Sequence, residues 1–345
     1  MAYSTIIKPT DYFNTKLYTG TDNSNAITGV GFQPDWVWLK NRSTGSNKLM
    51  DAVRGSNSSL CTNNSNAAEG AAYFSSFDSN GFTVDTSSSD VNADGQNYVG
   101  WNWKANGQGS SNTDGTINST YTSASTASGF SIVKYQGTGS NATVGHGLGA
   151  VPKMIIVKAL GTTQWWFTYH ISIGNTKHLL LNKNNAESGA SANYWNNTTP
   201  TSSVFSIGTD TGVNQSGQDY IAYCFADVQG FSKIGYYLGN QLADGPFLYT
   251  GFKPAFILSK KKDGASDWYI FDSKREGYNI DNDTLLANQT NAESTTDYLD
   301  IFSNGYKVRT TDGDLNTNNG EYVYLAFAEN PFVANVDGGL PTTAR

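Results

Sequence analysis

Apolar and polar residues alternate with a period of two through short runs, "DWVWLK", "KMIIVK", "AFILSK", "YVGWNW" and "YIAYCF", bounded by Gly, Asn, Asp or Ser. That period puts successive side chains on opposite faces of an extended chain, and aromatic and β-branched residues suit a pleated surface. No window sustains the i, i+3, i+4, i+7 stripe of an amphipathic helix. The pattern predicts an all-β protein with few helices.

The runs also recur. "GFKPAFILSK" at 251–260 restates "GFQPDWVWLK" at 31–40, and "GAVPKMIIVK" at 149–158 keeps the pattern. A second block follows each, anchored by Tyr98, Tyr220 and Tyr322, which lie 64, 68 and 68 positions after Pro34, Pro152 and Pro254. Upstream strands carry Tyr18, Tyr135 and Tyr236; between the blocks come "NNSNAAE", "NKNNAE" and "NQTNAE", then "SNGFTV", "SVFSI" and "SNGYKV". Landmarks in one order mark a true repeat. Three tandem β-sandwich or jelly-roll-like repeats of similar fold are expected, each of about 100 residues. The boundaries are an N-terminal segment 1–15, repeat one 16–106, a Ser/Thr/Gly-rich linker or loop 107–128, repeat two 129–228, repeat three 229–333 and a C-terminal tail 334–345. A row and a pseudo-threefold ring both fit this pattern.

Comparing the units assigns roles. Trp36 aligns with Met154 and Phe256, and Trp38 with Ile156 and Leu258. A ligand platform needs its rings, whereas a core position needs only bulk, so the two tryptophans read as core. The prolines open strands, where a missing N–H is harmless. Lys40, Lys158 and Lys260 read as solvated strand ends, and Asp51/Arg54 and Asp272/Arg275 as structural ion pairs. Asn92, Asn214 and Asn316, with Gly95, Gly217 and Gly320 nearby, read as hairpin turns. Glu69, Glu187 and Glu293 read as loop residues that bond their own backbone or a neighbour.

Composition narrows the function. Charged residues make up 15% of the chain, against roughly 25% in a typical domain. Aromatic content of 13% supplies enough buried area for a folded chain. A net charge of -7 gives no basic field for phosphates, so nucleic acid is not an expected partner. Cys61 and Cys224 form no CxxC, and His146, His170 and His178 form no HxxxH or HExxH. "DGDLNTNNGE" alternates Asp312, Asp314 and Asn316 like a calcium loop, but Thr317 and Val323 stand where an EF-hand needs Gly and Glu. No GxSxG or Walker loop occurs, and one Glu recurring once per unit does not supply the two unlike carboxylates that glycoside hydrolysis needs in one cleft. The reading is a non-enzymatic protein with no cofactor and no metal. No apolar run has the length of a signal peptide or a membrane span, so neither export nor membrane insertion is expected.

Ligand contacts belong on loops that differ between units, because shared positions serve the scaffold. Unit two offers Trp165, Trp166, His170, Tyr194 and Trp195, with Asn193 and Asn196 beside the last pair. Flat rings stack on sugar faces and Asn amides serve hydroxyls, so these five are the candidate ligand-binding residues; packing between units is the alternative.

The stretches "YFNTKLYTG", "ITGVGFQPDWVWLKNR", "GHGLGAVPKMIIVK", "YVYLAFAENPF" and "PTTAR" resemble a family of repeat-built virion structural proteins of marine tailed bacteriophages, over about residues 10–345. Trp165 and Trp166 depart from that family's usual single tryptophan. The resemblance implies a structural protein of the virion, made in the host cytoplasm, and carries over no catalytic or binding residue. Two roles follow: a tail fibre or tail tip adhesin contacting the host surface, or a capsid decoration or tail connector protein touching only other virion subunits. The implied partners are other virion proteins, further copies in a homo-oligomer and, for an adhesin, a host cell-surface glycan.

Overall fold

The computed structural model describes residues 4–70, 73–275, 279 and 281–331. The alternating runs become antiparallel strands and the chain is nearly all-β. In the first segment β1 (Phe13–Thr19), β2 (Ser24–Thr28), β3 (Trp36–Asn41), β4 (Lys48–Asp51), β5 (Leu60–Cys61), β6 (Ser76–Asp78), β7 (Gly81–Asp85) and β8 (Asn97–Trp103) form sheets β1-β8-β3-β4-β5 and β2-β7-β6. In the second, β9 (Ser110–Asn112), β10 (Ser119–Ser125), β11 (Phe130–Gln136), β12 (Ala142–Gly145), β13 (Met154–Ala159), β14 (Phe167–His170), β15 (Leu179–Leu180), β16 (Val204–Ile207) and β17 (Asp219–Phe225) form sheets β15-β14-β13-β17-β11-β10-β9 and β12-β16. In the third, β18 (Ser232–Leu238), β19 (Phe247–Tyr249), β20 (Phe252–Lys261), β21 (Tyr269–Asp272), β22 (Asp281–Leu286), β23 (Ser294–Phe302), β24 (Gly305–Val308) and β25 (Glu321–Pro331) run in the order β18-β25-β20-β21-β22-β23-β24-β19.

Each block-tyrosine strand lies between the upstream strand and the proline strand: β1-β8-β3, β11-β17-β13 and β18-β25-β20. The paired tyrosines are Tyr18 with Tyr98, Tyr135 with Tyr220 and Tyr237 with Tyr322, stacked at 5.1, 5.3 and 4.7 Å. The counterpart in the third segment is therefore Tyr237, not Tyr236, which the alternation turns outward to 61% exposure.

Two expected loops are structured. Residues 107–128 are not a plain linker: β10 pairs antiparallel along β11 and β9 along β10, extending the second sheet by two strands. The first strand begins at Phe13, inside the expected N-terminal segment 1–15, while residues 334–345 lie outside the described residues. Asn92, Asn214 and Asn316 are fully buried staples instead of hairpin turns. Asn92 Nδ2 donates to Asn23 O and Thr86 O, Asn214 Nδ2 to Ser140 O and Gly208 O, and Asn316 Nδ2 to Leu242 O and Thr310 O. A buried amide is tolerated only when so paired, and each pins the chain between two strands.

Strand alternation splits the core. Val37 and Leu39 pack inside the first sandwich, and Ile155 and Val157 inside the second. Trp36, Trp38, Met154, Ile156, Phe256 and Leu258, on the opposite faces, join one central cluster drawn from all three segments. Trp36 lies 4.9 Å from Tyr223 and 5.5 Å from Phe130; Phe13 stacks on Phe327 at 5.4 Å; Phe225 meets Phe327 at 6.1 Å. The tryptophans are core, in a core the segments share.

The seams close in cyclic order. Lys40 Nζ donates to Gln289 O of the third segment, Lys158 Nζ to Ser65 O of the first and Lys260 Nζ to Asn184 O of the second. These lysines are buried, not solvated strand ends: besides the one carbonyl of the neighbouring segment, each ammonium is held by a nearer carbonyl of its own segment, Gly45 O, Ala159 O and Lys261 O. Burial lowers each ammonium to about 8. Asn47 Nδ2, Trp166 Nε1 and Trp268 Nε1 follow the same cycle, donating to Gln289 O, Cys61 O and Leu180 O at 2.9, 3.0 and 2.9 Å. So do the Asn-Ala-Glu loops: Glu293 N bonds Arg42 O, Ala68 N bonds Leu160 O and Glu187 N bonds Lys262 O. Buried Asp51 and Asp272 pair with Arg54 and Arg275 at 2.6 Å, and accept across the seams from Tyr223 OH and Trp101 Nε1.

Candidate functional site

The five candidate residues separate by burial. Trp166 is a seam residue and fully buried; Trp195, on the short helix α1 (Ala192–Trp195), is 2% exposed and donates Nε1 to Lys177 O. His170 is also fully buried: Nδ1 accepts Ser172 N at 3.1 Å and Nε2 faces Tyr324 O at 3.5 Å across a seam. Desolvation holds its imidazole down at about 4. These three are structural, since bulk and donor bonds already place them inside the protein. Trp165 is 48% exposed, and Tyr194 is half-buried.

Trp165 overhangs a cleft of about 520 Å³ lined by His178, Leu180, Lys183, Asn185, Glu187 and Ser188. It stands two positions before β14, and the extended chain leading into that strand sends Trp166 inward to the seam and Trp165 outward. Phe167 supports the wall, 6.4 Å from Trp165, 5.2 Å from Tyr194 and 5.0 Å from His178. Tyr194 and His178 are in contact at 4.1 Å.

The polar groups of the cleft are partly unspent. Burial lowers the His178 imidazole to about 4, so it is neutral at pH 7 and carries one donor and one acceptor. Its Nδ1 has no hydrogen-bond partner among the described residues, and neither does Glu187 Oε2, while Glu187 Oε1 is held by Lys177 Nζ. The exposed Asn185 amide can hold hydroxyl groups by hydrogen bonds and the exposed indole face a C–H face by stacking, while His178 Nδ1 and Glu187 Oε2 are buried in the wall.

The segments differ here. The strand pairings place Ser46 and Asp267 where the second segment has Trp165, and Ser59 and Thr284 where it has His178. Sequence reasoning found Trp165 and Tyr194 because they break the repeat, and missed His178, which no local motif marks. Glu187 was legible only as a recurring loop residue; its distinguishing partner, Lys177, comes from the same nonrepeating stretch. The loop resembling a calcium site is accounted for by capping: Asp312 accepts Asp314 N at the start of the short helix α3 (Gly313–Asn316; Thr211–Asn214 is α2), and Asp314 Oδ2 accepts Tyr269 OH at 2.8 Å.

Comparison with curated proteins finds no match. A family model described as a domain of unknown function (DUF7483) matches residues 8–331, from ahead of β1 to the end of β25, and the chain belongs to this family.

Proposed function

We propose that the protein is a non-enzymatic structural protein of a bacteriophage particle, a tail fibre or tail tip adhesin that binds a host-surface glycan in the cleft under Trp165. Its body is three tandem sandwich repeats closed into a ring, an arrangement supported by the shared strand order and by the cyclic seam bonds. The virion setting rests on the sequence resemblance. The observation that carries the binding reading is the half-exposed Trp165 over a cleft lined by Lys183, Asn185 and Glu187, at a position held by Ser46 and Asp267 in the other two segments. A platform that serves the scaffold would recur in all three; this one departs from the repeat, as a recognition surface does. Further copies of the chain would multiply a weak single site into firm attachment.

A glycan array followed by titration of the best ligand tests this. Trp165→Ala is expected to abolish binding and leave the melting temperature unchanged, whereas Trp195→Ala costs stability by about 3–5 kcal/mol. Unaltered glycan affinity in Trp165→Ala would place the site elsewhere. Absence of the protein from purified particles by mass spectrometry would remove the virion setting.

A further inference from the structure

The sandwich edge beside β11 and β12 is covered by the chain itself. Tyr121 of β10 pairs with Lys134 of β11, Thr116 N and Ile117 N bond Thr143 of β12 at 2.9 and 3.0 Å, and Asn112 lies against Gly145. Residues 110–125 thus run along both edge strands and close the gap between the two sheets. In the third segment β18 and β19 are the terminal strands of their sheet and hold the matching positions. Tyr236 stands where Lys134 does, Leu238 where Gln136 does, and Phe247 and Tyr249 where Thr143 and Gly145 do, by the pairings Tyr237 with Tyr322 and Leu248 with Tyr306.

All four are large apolar residues, 61, 50, 47 and 55% exposed. The first segment supplies a contrast: its open edge at β1 and β2 shows Leu17 at 40%, with the small residues Ala26 and Thr28 at the β2 positions. The main chain of β18 is also available. Phe231 O accepts Ala328 N and Gly239 N donates to Gly320 O, so odd-numbered residues face β25 and even-numbered ones face outward. Asp227 Oδ1 takes Ile234 N–H, and beyond it Tyr236 and Leu238 turn their N–H and C=O to no other strand among the described residues. An edge that carries no further strand among the described residues and displays large apolar side chains is a liability unless something covers it.

We propose that the β18/β19 edge is a strand-docking slot for an extended, nearly uncharged segment of a partner protein, entering as residues 110–125 enter the second sandwich. Main-chain bonds to Tyr236 and Leu238 supply the register, and apolar side chains of the partner cover Tyr236, Leu238 and Phe247. The partner is more apolar than residues 110–125, because those face Lys134 and Thr143 and are themselves mostly Ser, Thr and Asn.

The probe is a labelled peptide of residues 108–126, and the same peptide carrying S119V at the position that continues the register to Leu238. Saturable binding to the full chain is expected, tighter for S119V, weakened at least tenfold by Leu238→Lys or Phe247→Ser and unaffected by Trp165→Ala. Amide exchange at Tyr236 and Leu238 should slow in the complex, a readout independent of whether either variant is destabilised. No binding, or binding that neither variant weakens and that leaves these amides unprotected, overturns the proposal. Self-association of the chain that Leu238→Lys abolishes, with no peptide binding, overturns it too, by showing the edge to be a contact between copies.

Discussion

A lysine at the end of a strand is normally solvated, and nothing within "WVWLK" or "FILSK" says otherwise. Lys40, Lys158 and Lys260 are buried between carbonyls of their own segment and one carbonyl each from a loop of another, so part of their environment was written in sequence far from their own; Trp36 and Trp38 were legible because the aligned positions are apolar in every unit. The buried titratable residues predict a pH profile. His170 and His178 sit at about 4 when folded, against about 6.5 unfolded. The unfolded chain therefore binds more protons between these values, and stability falls as pH drops from 6.5 towards 4, by on the order of 2–3 kcal/mol for each. The lysines, at about 8 folded and about 10.4 unfolded, work in the same sense: stability rises as pH climbs from 8 to 10. Above about 10 the buried tyrosines, which desolvation holds protonated in the folded state, reverse the trend. Urea denaturation from pH 4 to 11 is expected to show greatest stability near pH 9–10; a maximum at pH 5–6 would contradict these assignments.

At the scale of the element, period-two runs were sufficient to read the proline and block-tyrosine strands, whose apolar residues are dense. The stretch 105–128 was opaque for a physical reason. Its strands are stabilised by main-chain pairing and by hydroxyls such as Ser119 Oγ to Thr122 Oγ1 at 2.7 Å, not by burial of large side chains, so composition alone made it look like a linker. The cluster at Trp165 was half legible: its aromatic members broke the repeat, but His178 enters by pairing of β15 with β14, which no local signal encodes. If residues 110–125 close the second sandwich, replacing them by a Gly/Ser linker of equal length should uncover the β11 edge. The expected outcome is a lower melting temperature with concentration-dependent aggregation by light scattering. A variant that stays monomeric and as stable as the parent would mean that β9 and β10 are decoration.

For the whole molecule, the all-β character was legible and the joining of the segments was not, because seam contacts join different loops and leave no period. The structure unites the segments around aromatic residues from all three, with Trp36, Phe13, Phe256 and Phe327 touching across segment boundaries. Each large sheet therefore has two buried faces, one in its own sandwich and one in the common core, and separating a segment would expose the second. Segments strung in a row would melt independently; segments sharing one core lose it together. Differential scanning calorimetry of the full chain at pH 7 tests this most directly. The account predicts one transition whose calorimetric and van't Hoff enthalpies agree, whereas two or three resolved transitions, or a calorimetric enthalpy two to three times the van't Hoff value, would contradict it.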